Sequence, residues 1–195
     1  MISEKELKGK IDALCKDKKK LAQIKDSIRD GVEEQYPAIR KLYSAKKVMT
    51  KDFQSVFCAF YRLRGLLDRD AFSKFIAEGK SKSIDLVIRK IARYPESRSN
   101  LSFASKALHT IDNDLPIFDS SIQTFLHISR NPTGSFDGNV QRDSKIYEEL
   151  KALFGNRKRN GLSNLAEIFD KMYPGTDFSE TKKIDFILWG SGRVG

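Results

Sequence analysis

The sequence is poor in several features that would narrow its function at once. Its 195 residues include two cysteines, Cys15 and Cys58, and two histidines, His109 and His127. Two cysteines cannot make a disulfide framework for a chain of this length. Both fall at apolar positions of helical patterns and are expected as buried free thiols. With no Cys/His cluster, neither a structural metal nor another cofactor is expected. No window approaches the roughly 18 uninterrupted apolar residues of a membrane-spanning helix. The opening "MISEKELKGKIDALCKDKKK" carries charge throughout and has no apolar run of the secretory type. The expectation is a cytoplasmic protein without a membrane partner. There is also no GxxxxGK[ST], no GxGxxG after a strand, no HExxH and no GxSxG, so the commonest nucleotide, zinc-protease and serine-hydrolase classes are set aside.

What is present is apolar and basic. The hydrophobic share is 39%, with 13 Phe and 6 Tyr, which is enough for a core. Charged residues make up 32% and the net charge is +10. The excess lies in the first half: residues 1–51 carry fourteen basic against eight acidic side chains, and 52–100 carry ten against six. Residues 101–130 carry two against three, and 131–195 ten against nine. A basic surface attracts phosphate-rich polymers, so DNA is the expected partner. The run "KDKKKLAQIKDSIRD" (16–30) has interspersed aspartates and no Trp or Phe, and reads as a solvated helix face rather than a lipid-binding one.

The periodicity is helical almost everywhere, and no strand run or internal repeat stands out. Ser3 and Glu6 form a capping-box pattern ahead of Leu7, Ile11, Leu14, Leu21, Ile24 and Ile28, predicting one long first helix that ends near Gly31. Pro37 suits the first turn of a second helix. Thr50 caps a stripe of Phe53, Val56, Phe57, Phe60 and Leu63. Short helices follow, one stopped by Gly79 and one ending before Pro95. Then come a helix over 101–111 and another from Asp119 to about Ser129. "NPTGSFDGN" (131–139) reads as a loop holding Phe136, with a helix around Ile146–Phe154 after it. "NRKRNG" (156–161) reads as a basic loop, and two further helices hold Leu165–Met172 and Ile184–Trp189. The fold class is therefore all-α: a compact multi-helix domain over 51–195, with residues 1–50 as a basic N-terminal helical segment or as part of one continuous domain.

Two constellations could carry chemistry. The first is Lys106 with Asp119. An amine freed of its proton is a nucleophile toward a sugar C1′, and a nearby carboxylate can hold developing positive charge or move a proton. The plainer alternatives are a surface lysine on an amphipathic helix and a helix-capping aspartate. The second is the basic set Lys80, Lys82, Arg89, Lys90, Arg93, Arg98, Arg157, Lys158 and Arg159, which would contact a nucleic-acid backbone or be solvated helix faces. Tyr94, Phe103, Phe118 and Phe136 are the aromatics that would stack on a base.

The segment "NLSFASKAL" (100–108) followed by "LPIFDSSI" (115–122) resembles the helix-hairpin-helix DNA glycosylase superfamily of 8-oxoguanine and endonuclease III-type enzymes. In that family a hairpin leads into a helix with a catalytic lysine, and a Pro-Val/Ile-x-Asp-like element opens the next helix. The resemblance implies a helix-hairpin-helix glycosylase-like fold and base-excision glycosylase/lyase activity. Lys106 would form a Schiff base, and Asp119 would assist glycosidic-bond cleavage. Ser102-Phe103-Ala104 stand where the family's hairpin has Gly-x-Gly, and thirteen positions separate Lys106 from Asp119. No four-cysteine motif follows, so no iron–sulfur cluster is implied. The other function class open to this sequence is a non-catalytic helical module that binds nucleic acid or protein.

Overall fold

A computed structural model describes residues 2–62, 69–79, 83–91, 100–131 and 133–194. Among these residues the secondary structure is helical, with no strand. The helices are α1 (Glu4–Lys16), α2 (Lys18–Asp30), α3 (Tyr36–Ser44), α4 (Lys51–Phe60), α5 (Arg69–Glu78), α6 (Ile84–Ile91), α7 (Leu101–Ile111), α8 (Ser120–Phe125), α9 (Phe136–Gly155), α10 (Arg157–Asn160), α11 (Ser163–Met172) and α12 (Glu180–Ser191).

The capping signals act as read. Ser3 Oγ accepts the Glu6 N–H, Thr50 Oγ1 accepts that of Phe53, and Asp119 Oδ1 accepts that of Ile122. Other boundaries differ from the expectation, each for a local reason. The long first helix is broken at Asp17, whose carboxylate caps the new helix by accepting the Lys20 N–H at 2.9 Å. Gly31 does not end α2. The chain continues as a π-helical turn, Gly31–Gln35, into α3, with the Tyr36 N–H reaching back five residues to Gly31 O. Pro37 has no N–H for the regular ladder, and the wider turn precedes it. The 131–139 loop is shorter than read, because α9 already begins at Phe136, where Ser135 Oγ accepts the Gly138 N–H. "RKR" forms the single turn α10 rather than a loop, stopped by Gly161 at φ +85°.

Helix α8 stops at Phe125, short of Ser129. The His127 N–H donates to Thr124 O and the Ile128 N–H to Gln123 O, with His127 at φ +50°. This is a Schellman turn with histidine in the left-handed position that glycine usually fills. Helix α3 ends the same way, with Lys46 at φ +57°.

The chain divides into two compact units. The first comprises Met1–Arg29, Asn113–Ser129 and Glu148–Gly195. The second comprises Asp30–Asp112 and Arg130–Tyr147. Residues 1–29 thus count with the first unit and 30–50 with the second. In the first unit the core is built from Leu7, Ile11, Ile24, Ile28, Phe169 and Phe186, among others. Phe169, Phe178 and Phe186 pack their rings with centroids 5.6–6.0 Å apart. Helix α12 lies so close to α2 that a Cβ on Gly190 would fall 2.8 Å from methyls of both Ile24 and Ile28. In the second unit Phe53, Phe57, Phe60, Phe72 and Phe75 form the core, with Phe57 stacked on Phe53 at 5.4 Å and tilted on Phe72 at 5.0 Å. Asp143 is fully buried there and holds Arg130 and Arg142. Arg142 in turn donates to Asn131 O, which fastens the loop ahead of α9.

Candidate functional site

Lys106 sits in the middle of α7 in the second unit and is only 6% exposed. It is therefore not the solvent-facing lysine of an amphipathic helix. Its amine donates to Ser102 Oγ at 2.5 Å, one turn back, and lies 5.7 Å from the centre of the Tyr61 ring. One turn onward, His109 is fully buried, with its Nε2 3.2 Å from the Tyr36 hydroxyl. Arg40 donates to Thr110 O, tying α3 to the end of α7. Ser102-Phe103-Ala104 form the first turn of α7, so the residues at the family's hairpin position are helical here.

Asp119 belongs to the first unit. It is partly exposed and extended (φ −143°), and it caps α8. The connector leading to it is held by the start of α12: Ser179 Oγ donates to Asn113 O at 2.7 Å and Thr181 Oγ1 to Asp114 O. Lys106 and Asp119 therefore fall in different compact units, each fixed by its own surroundings.

A second lysine, which sequence periodicity does not single out, is also buried. Lys182 on α12 is 1% exposed. Its amine is 2.6 Å from Asp185 Oδ2 and 4.5 Å from the centre of the Phe186 ring. Burial pushes the amine below the ordinary lysine range, and the charges of Asp185 and Asp119 act against that shift. The signal that would have found it is a lysine inside the run "KKIDFILW" with an aspartate three positions on, where a helix brings the two together.

The basic residues are largely engaged. Arg89 pairs with Asp137 at 2.5 Å and lies over the Phe136 ring, so Phe136 is not the loop aromatic that was expected. Lys90 pairs with Glu78 at 2.6 Å. Arg157 is spent on Glu180 and on Phe154 O. For Glu180, burial pushes the carboxyl up, but the hydrogen bonds from Ser163 and Arg157 outweigh it and hold the group below its ordinary range. Arg159 is 80% exposed and only loosely approaches Glu4, at 3.7 Å. Lys158 is exposed. Phe118 is a core residue and Phe103 is partly exposed. Lys80, Lys82, Arg93, Tyr94 and Arg98 lie outside the described residues.

No family model, no curated protein and no solved structure matches this chain. The functional reading therefore rests on its own residues. Among the described residues no group of His, Cys, Asp and Glu could hold a metal ion, and no helix is long and apolar enough to cross a membrane.

Proposed function

We propose that the chain is a DNA-interacting helical protein with base-excision glycosylase/lyase chemistry centred on Lys106. The observation that carries this reading is the burial of Lys106 against a hydroxyl and an aromatic ring. An amine attacks carbon only as the neutral base, and removal from water is one means of making it so. In the reaction the Lys106 amine attacks C1′ of a deoxynucleotide. The glycosidic bond breaks, its electron pair leaves with the base, and the base takes up a proton. The attached nitrogen gives up a proton, the C1′–O4′ bond breaks with its electron pair on O4′, which takes up a proton, and the nitrogen lone pair forms an iminium between Lys106 and C1′. Asp119 is the carboxylate that the resemblance assigns to this chemistry. The net charge of +10 supports a polyanionic substrate.

The test is borohydride trapping on duplexes carrying abasic sites and a panel of damaged bases. A covalent adduct is expected with the wild-type chain, absent in Lys106→Ala and slowed in Asp119→Asn. An adduct of equal yield in Lys106→Ala would exclude Lys106 as the nucleophile. Salt-dependent DNA binding without any adduct would instead identify a non-catalytic nucleic-acid-binding module. No binding even at low salt would end both readings.

A further inference from the structure

The first unit contains a cleft of about 560 Å³ that the chemistry above does not use. It lies along α1, the start of α2, α8 and the end of α12, and Lys10, Lys20, Ser121, Thr124, Phe125 and His127 face it. We infer that this cleft binds a phosphomonoester of about nucleotide size.

Hydrogen-bond donors exceed acceptors there. Lys10 is fixed rather than waving in solvent: its amine donates to Phe125 O at 3.0 Å and lies 2.7 Å from His127 Nε2. His127 Nδ1 faces Glu6 Oε1 at 3.4 Å. With Nε2 accepting from Lys10, Nδ1 is the ring nitrogen left to face Glu6. An ammonium has three N–H groups, so one of those on Lys10 remains for a ligand. Among the described residues, the Lys20 amine and the Ser121 and Thr124 hydroxyls have no hydrogen-bond partner. Among the described residues the carboxylate lining the cleft is that of Asp17, whose Oδ1 is occupied by the Lys20 backbone N–H. Ser191, also on the wall, donates to Leu188 O.

Two ammonium groups and two open hydroxyls suit a phosphate, which offers three strong acceptor oxygens and up to two negative charges. Ala13, Leu14 and Phe125 give the cleft an apolar wall for the body attached to that phosphate. The volume is in the range that encloses a nucleotide-sized ligand. The geometry is also costly to keep. His127 occupies a left-handed conformation that glycine would adopt freely, yet histidine is the residue that receives Lys10 there. Gly192 leaves the α8–α12 approach open, since a Cβ at that position would lie 2.5 Å from Ser121 Oγ.

The inference is independent of the role of Lys106. It is tested by amide NMR titration of the full chain with inorganic phosphate, adenosine 5′-monophosphate and adenosine. Saturable shifts are expected at Lys20, Ser121, Thr124 and His127 with phosphate, tighter with the monophosphate, and absent with adenosine. Lys10→Met/Lys20→Met should weaken monophosphate binding by at least about tenfold. Ser121→Ala/Thr124→Val should weaken it by less, and Lys145→Met, an exposed lysine of the second unit, not at all. The spectra themselves report whether each variant is folded. Absence of saturable shifts, equal binding of adenosine, or an affinity unchanged in both double variants would each overturn the proposal. A 5′-phosphorylated oligonucleotide that competes with the monophosphate, where its unphosphorylated form does not, would assign the phosphate to a nucleic-acid end.

Discussion

Among the described residues each compact unit buries one lysine, and the two are treated differently. In the first unit, Lys182 is held by Asp185 at 2.6 Å and by the Phe186 ring at 4.5 Å. In the second, Lys106 meets a serine hydroxyl at 2.5 Å and a tyrosine ring at 5.7 Å. Asp185 holds the Lys182 amine by charge and hydrogen bond against the desolvation that lowers it, so Lys182 reads as architecture. The Ser102 hydroxyl can accept from a charged amine or donate to a neutral one, so this contact by itself selects neither form. Burial alone does not separate a structural lysine from a chemical one; the partner does.

Substitution at Lys182 has the largest expected effect. Lys182→Met leaves Asp185 as a buried carboxylate without its amine and should cost ~3–5 kcal/mol in urea unfolding. Lys182→Met/Asp185→Leu removes both charges and should recover most of that loss. If the double variant is as unstable as the single one, the pair is not the reason for the loss. Lys106→Met is the matching experiment in the second unit. It retains the apolar stem and loses a charged hydrogen bond to a hydroxyl that can turn elsewhere, so about 1–2 kcal/mol is expected. A loss equal to that at Lys182 would erase the distinction between the two lysines.

Smaller effects are expected at the left-handed helix stops His127 and Lys46. Glycine at either left-handed helix stop should stabilise the chain by about 1 kcal/mol, as a raised urea midpoint in both His127→Gly and Lys46→Gly. Only the first should also reduce phosphate binding, because only His127 receives Lys10. The smallest signal is in pH. The Lys182 amine is shifted down by burial, so the folded chain binds fewer protons than the unfolded chain between that lowered value and the ordinary lysine range. Stability from this group therefore rises with pH across that alkaline window. The wild-type chain should gain on Lys182→Met/Asp185→Leu as pH increases there, read as the difference between their urea midpoints. A difference that shrinks or stays flat would contradict the direction.

Much of the helical scaffold was legible because local rules govern it. Thr50 with its phenylalanine stripe, the helix over 101–111 and the cap at Asp119 are decided by residues within one or two turns. The break at Asp17 was hidden because Leu14 and Leu21 keep helical spacing across it. The early start of α9 was hidden because Gly134 and Gly138 look like one loop, whereas only Gly134 has a positive φ, at +82°. At the candidate site, the sequence could propose Lys106 and Asp119 but not their separate environments, which depend on how distant segments sort into two cores. The cleft at Lys10 was invisible for the same reason: nothing near Lys10 announces His127.

The sequence distances of these pairs also set when each can exist. Lys182 and Asp185 lie three residues apart on one helix, so they meet as soon as α12 winds, long before the core closes around them. The charge is then already matched when water leaves. Lys10 and His127 are separated by 117 positions, and their contact must wait for a long loop to close. A refolding chain would thus have its internal ion pair early, whereas the Lys10–His127 contact would appear only with the native state.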